Sequence, residues 1–163
     1  MIGAVLLLAA TFLSRSSITT YDRLGQQIKG IEARAGEQAR TRLAITSTSL
    51  DVPHAVLTVQ VRNDGQTNLS AWEAMDVIVT YSDATLPTPV RRTVYLTYTS
   101  GPLTDNTWTV TLISPDSFEP GILNPGETAT LTIRLNPAVG LATSNVIVIA
   151  AENGVTVTAV FAG

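Results

Sequence analysis

The sequence predicts an α+β protein in which a long N-terminal α-helix is followed by an Ig-like antiparallel β-sandwich. Three observations predict it. Residues 2 to 13 (IGAVLLLAATFL) are apolar without interruption and run, with no proline, into a helix-period pattern. From Arg42 the hydrophobic period changes from 3.6 to 2, as half-buried strands require. Turn residues then punctuate the chain at short intervals, which suits a sandwich of seven or eight strands. A chain of 163 residues has room for one core and an appendage. The expected division is an assembly helix over 1–43 and a sandwich over 44–163.

Beyond the apolar run, Ile18, Tyr21, Leu24, Ile28, Ile31, Ala35 and Ala39 recur at steps of three and four, a coiled-coil-like seam. Asp22, Arg23, Lys29, Glu32, Arg34, Glu37 and Arg40 lie off it, with Lys29/Glu32 and Arg34/Glu37 at i,i+3 spacing. The helix is therefore apolar all round at first and one-sided later. Gly25, Gly30 and Gly36 each weaken it by roughly 0.8 to 1 kcal/mol relative to Ala. Such glycines either let helices approach closely or permit bending. A helix over residues 2 to 43 would be about 60 Å long, more than a domain of this size covers by itself.

Three roles suit its leading end. A secretory signal would carry a basic residue ahead of the apolar run, and none precedes Arg15. A permanent membrane span needs about 20 apolar residues, and extension to Tyr21 would bury Arg15 at roughly 2.5 to 3.5 kcal/mol near the bilayer centre. The third role is self-association, in which Ile2, Val5, Leu6, Leu7, Leu8, Phe12 and Leu13 pack against other copies. Those side chains would contribute on the order of 10 to 20 kcal/mol gross before association costs. Ile18, Tyr21, Leu24, Ile28 and Ile31 would continue that interface. Arg15 and Asp22 share nearly one face but stand too far apart to touch within one helix. In parallel copies with an axial stagger, Arg15 of one would meet Asp22 of the next, a pair that fixes register more than it stabilises. Alternatively, Arg15 marks the edge of a lipid-facing segment and Asp22 is solvated.

Residues 42 to 50 join helix and sandwich with no Gly/Ser linker, and Leu43 and Ile45 begin the alternation. Further strands are predicted at Val56 to Val61, Met75 to Tyr81, Val90 to Tyr98, Thr107 to Ile113, Thr128 to Leu135, Asn145 to Ala151 and Val155 to Phe161. Asn63-Asp64-Gly65 supplies turn residues tolerant of positive φ, and Pro120-Gly121 and Asn124-Pro125-Gly126-Glu127 mark tight turns. Asn153-Gly154 predicts a closing hairpin with a two-residue type I′ turn. No helix-period stretch follows Leu50.

An apolar fraction of 45% against 14% charged residues, with mean hydropathy +0.25, predicts surface covered by partners. Most of the ten Lys and Arg ride the helix with acidic residues interleaved, and the net charge is −3, so no nucleic-acid footprint is expected. Cysteine is absent. His54 is the sole histidine, no G-x-S-x-G elbow exists, and the carboxylates show no D-x-D-x-D-G run. No cofactor, metal or catalytic site is predicted. Tyr95, Tyr98 and Trp108 lie on predicted strands, where core packing is commoner than a carbohydrate platform. Asn68-Leu69-Ser70 is a glycosylation sequon after a turn.

Taken in order along the chain, these features resemble the archaellins, subunits of the archaeal swimming filament within the type IV pilin-like superfamily. The resemblance is carried by the apolar segment Met1 to Leu13 continuing as a helix, the sandwich, the Pro120 to Glu127 turn and the Asn153-Gly154 hairpin. Val5 stands where bacterial type IV pilins generally place a glutamate, and Arg15 where many relatives are apolar. The resemblance implies a structural, non-enzymatic subunit of an extracellular cell-surface filament used for motility, whose partners are copies of itself packed through their N-terminal helices. It also implies residence in the membrane before assembly, an assembly platform, and a prepilin-type peptidase that removes a short basic leader, with Met1 as the candidate mature N-terminus. Membrane-anchored archaellum stator proteins share the helix-plus-sandwich plan, and archaeal adhesion pilins are a further neighbour. The alternative is thus a stator or adhesin whose sandwich binds the envelope or a surface. A secreted enzyme or carbohydrate-binding module would need a site that the sequence does not display.

Overall fold

The computed structural model describes residues 26–51, 53, 55–85 and 87–163. Residues 26–40 are helical, and the chain divides into two compact units, Met1–Glu37 and Gln38–Gly163. The second unit holds eight strands: β1 (Leu43–Asp51), β2 (Val56–Asn63), β3 (Asp76–Ser82), β4 (Arg91–Tyr98), β5 (Thr107–Ser114), β6 (Thr128–Arg134), β7 (Ser144–Ala150) and β8 (Thr156–Ala162). Their hydrogen-bonded order is β1-β2-β6-β5-β4-β3-β7-β8. All pairings are antiparallel except β4 with β5, which run parallel over only Thr97↔Thr107 and Tyr98↔Trp108. At that short corner the ladder passes from one layer of the sandwich to the other, and β1 lies near β8 without a ladder between them.

Alternation fills the core. Leu57, Val59 and Val61 of β2 and Ala129, Leu131 and Ile133 of β6 face inward from one layer, and Val77, Val79, Tyr81, Ile147 and Ile149 from the other. Their intervening neighbours on β2 and β6 are Thr58, Gln60, Arg62, Thr128, Thr130, Thr132 and Arg134, none of them buried. Trp108 is fully buried, its ring edge-on to Tyr98 with centroids 5.0 Å apart. Tyr95 is 74% exposed on the outer side of β4. The three aromatics therefore form no shared platform, because successive residues of a strand point to opposite faces and Tyr95 and Tyr98 stand an odd number of positions apart.

Strand edges fall within a residue or two of those the periodicity predicts, and local chemistry explains the larger differences. The helix ends at residue 40, short of 43, because the chain leaves it for a sheet partner. Thr41 N donates to Gln38 O (3.2 Å), and the carbonyls of Arg40 and Arg42 then accept from Gln66 N and Asp64 N, both at 2.8 Å. Gly65 serves this joint by lacking a side chain, and it does not adopt positive φ: a Cβ there would lie 2.5 Å from both Arg40 O and Arg42 N. The closing hairpin is also not type I′. Its loop holds Glu152, Asn153 and Gly154 between the paired backbones of Ala151 and Val155, Gly154 N donates to Ala151 O (2.8 Å), and only Gly154 has positive φ (87°). That is the three-residue hairpin with glycine in the left-handed position. A short 3-10 turn, Trp72–Ala74, carries no helical periodicity in the sequence and was not predicted.

At the end of β3 remote from its junction with this 3-10 turn, Asp83 is fully buried. Its Oδ1 accepts from Val90 N (2.9 Å) and Thr85 N (3.1 Å), and its Oδ2 pairs with the Arg92 guanidinium. The Val90 amide first, then Arg92, hold the carboxyl well below the usual carboxylate range.

Candidate assembly interface

The described helix is one-sided, and its apolar stripe is uncovered. Ile28 is 54% and Ile31 68% exposed, and Ala35 and Ala39 on the same seam are exposed as well. Lys29, Arg34 and Arg40 stand beside that stripe. Gly30 and Gly36 have open space where a Cβ would project, so among the described residues no neighbour demands glycine at either position. An amphipathic helix ordinarily buries its apolar stripe, and this one has no cover among the described residues. The remaining predicted interface residues Ile2, Val5, Leu6, Leu7, Leu8, Phe12, Leu13, Ile18, Tyr21 and Leu24, and the Arg15 and Asp22 pair, lie outside the described residues, as does His54.

Within the second unit, Gln38 and Thr41 are bonded to the base of the sandwich by polar side chains. Gln38 Nε2 donates to Asn153 O (2.6 Å), Asn153 Nδ2 to Thr41 Oγ1 (2.6 Å), and the Thr41 and Thr67 hydroxyls share a hydrogen at 2.6 Å. The Asn153 that reads as a hairpin signal thus also holds Gln38 and Thr41. Asn63, fully buried behind Gly65, donates from Nδ2 to Thr67 O (2.7 Å) and Leu123 O (3.1 Å) and accepts from Gly65 N (3.0 Å). It exchanges backbone bonds with Gly126 and Glu127, so the 115–127 loop stands at this same base.

That loop contains two successive tight turns, each with proline second, a glycine at positive φ third (Gly121, 88°; Gly126, 85°) and a hydrogen bond closing it, from Ile122 N to Glu119 O and from Glu127 N to Asn124 O. Asn124 Nδ2 donates to Phe118 O and to Ile122 O, and the Asp116 carboxylate accepts from Gly121 N. The result is a fixed loop that holds Phe118 67% exposed between the exposed carboxylates of Asp116 and Glu119. Sequence reasoning missed Phe118. The available signal was a large aromatic isolated in a Ser/Asp/Glu/Pro stretch with no strand period to bury it. Asn68 is exposed beside this loop, with its Nδ2 donating to Glu119 Oε2 (3.2 Å).

Charge is divided unevenly along the chain. Residues 1–42 carry six basic and three acidic side chains, net +3, whereas residues 43–163 carry four and ten, net −6. Among the described residues no three His, Asp or Glu side chains gather as metal ligands. An amphipathic helix whose apolar stripe is uncovered among the described residues, continuous in sequence with an acidic β-sandwich, fits a structural protein that associates with others.

The archaeal-type flagellin family matches residues 3–161, nearly the whole sequence. The chain belongs to the archaeal-type flagellin family and is a structural subunit of an extracellular cell-surface filament of the archaellum type. Among solved structures its fold is similar to that of the archaellum periplasmic stator protein FlaG from Sulfolobus acidocaldarius, at TM-score 0.55 and 23% identity over 74% of this chain and 99% of that one. The FlaF and FlaG stator complex of the same organism matches at TM-score 0.55 and 22% identity, over 74% and 89%. The archaeal flagellum of Methanospirillum hungatei strain JF1 matches at TM-score 0.53 and 16% identity, over 98% and 90%. No curated protein matches.

Proposed function

We propose that this archaellin polymerises through a long N-terminal helix for motility, with Ile2, Val5, Leu6, Leu7, Leu8, Phe12 and Leu13 forming the filament core and the sandwich the outer layer. The uncovered Ile28 and Ile31 stripe supports this reading, since it continues the predicted seam and lacks a partner within the described chain. A contact that rotation does not close repeats indefinitely, so one heterologous interface suffices for a fibre. Arg15 and Asp22 of neighbouring copies set the axial register, and Asn68 is the glycan acceptor. Before assembly the subunit resides in the membrane, loses a short leader to a prepilin-type peptidase and is delivered by an assembly platform. The subunit needs no catalytic activity of its own.

Leu7→Arg is expected to abolish filaments in sheared cell-surface material viewed by electron microscopy while the sandwich melts as before. Normal filaments from that variant would overturn the proposal. Reversing the charge at Arg15 or Asp22 alone should reduce assembly, and reversing both should restore it. The likeness of the sandwich to FlaG over 99% of that chain favours a second reading, an envelope-binding stator. Specific binding of the assembly-dead Leu7→Arg protein to purified cell-wall material would support that reading instead.

A further inference from the structure

At the base of the sandwich the Phe118 loop adjoins an open groove of about 540 Å³ whose lining includes Trp72, Tyr98, Leu112, Ile113 and Asp116. After Trp108 no strand of the opposite layer pairs with β5, and past the irregularity at Val110 and Leu112 it is Ile113, opposite the buried Ala129, that turns inward, while Leu112, opposite Thr130, is 59% exposed. Phe118 and Leu112 are thus two large apolar side chains facing solvent, with Asp116 and Glu119 as acidic companions. The loop is braced by its two glycine turns and the Asn124 amide, so presenting Phe118 costs little further ordering on contact.

The complement of this surface is on the same chain. Ile28 and Ile31 form an exposed apolar stripe beside Lys29, Glu32 and Arg34, whose net charge is +1, where residues 43–163 carry −6. Aromatic and aliphatic anchors within a rim of opposite charge are the usual anatomy of a specific contact. The geometry points to a docking surface for a second copy: the Phe118 loop and its groove receive the Ile28–Arg34 stripe of a neighbouring subunit. Because donor and acceptor surfaces differ, each subunit gives one contact and receives another, a heterologous arrangement that propagates as a fibre wherever its rotation does not close a ring. This inference rests on the filament reading and refines it: the far end of the helical seam, Ile28 and Ile31, packs against a neighbour's sandwich and not against a neighbour's helix.

The absence of cysteine permits a direct test. Filaments of the double variant Phe118→Cys/Ile31→Cys, treated with a short flexible bis-maleimide, should yield a ladder of dimers, trimers and higher multimers on denaturing gels. Each single-cysteine variant should give no ladder. Filaments of normal appearance with no ladder would overturn the docking surface while leaving filament formation untouched, whereas failure of the unmodified chain to form filaments would remove the underlying reading. Should the cysteine variants not assemble, charge exchange decides. Asp116→Lys/Glu119→Lys should lower filament yield on the order of tenfold, and adding Lys29→Glu/Arg34→Glu should restore it. Loss without rescue, in protein whose sandwich melts normally, would overturn the inference.

Discussion

The helix over residues 26–40 and the sandwich over Leu43–Ala162 satisfy their apolar groups in opposite ways. The sandwich closes on itself: Trp108, Tyr81, Leu57 and Ile133 are buried to 0–1% exposure within one chain. The helix does not, and every residue from 26 to 35 is exposed, Ile28 and Ile31 included. One region packs its apolar groups within itself, and the other leaves them without cover among the described residues. Substitutions in each should therefore fail differently.

The comparison breaks most sharply at Trp108. Trp108→Ala should cost the sandwich about 3 to 5 kcal/mol in denaturant unfolding, with the far-ultraviolet signal of the helix lost only as the whole chain unfolds. At the joint, Gly65→Ala forces a methyl against the Arg40 and Arg42 backbone and should cost about 1 to 3 kcal/mol, read as a lowered melting temperature. Restoring glycine's neighbours by mutation is not open, since both contacts are main-chain atoms.

Acid tests the far end. The folded Asp83 carboxyl lies below its unfolded value near 3.9 (~ the free Asp value), so its stabilisation is complete above that value and is lost as pH falls through the lowered folded one. Melting temperature followed from neutrality downward should show this group's contribution vanish only in strong acid, and Asp83→Asn should lower the melting temperature at neutral pH. The smallest effect belongs to the helix. Gly30→Ala meets open space and should raise the stability of an isolated 26–40 peptide helix by roughly 0.8 to 1 kcal/mol, measured by circular dichroism. If filaments of Gly30→Ala are lost while the peptide gains helix, the glycine serves close approach between copies; if they persist, it serves bending.

Much of the sandwich was legible because alternation is local: Val56-Leu57-Thr58-Val59-Gln60-Val61 announces both strand and inward face. The crossing order was not, since nothing in residues 97–108 signals a parallel pair two residues long. Asn153-Gly154 indicated a hairpin correctly, but its turn type depended on Ala151 and Val155 bonding across three residues, which a dipeptide does not encode. Gly65 was recognised as special for the wrong reason, because a close approach between distant segments leaves no mark on φ propensity. Of the candidate interface, the Ile28 and Ile31 stripe followed from spacing, whereas Phe118 gained its meaning only once the Asn124 and Gly121 brace was seen.

The bracket formed by Asp83 has a practical corollary. One carboxylate oxygen gathers the amides of Thr85 and Val90, so the strand ends beside them are held whether or not the intervening stretch keeps its own sequence. A foreign peptide grafted between those two positions would inherit closed anchor points and add only the slowly growing entropy of a longer loop. Carried once by each subunit, that single graft would recur along the fibre at the spacing of the subunits themselves.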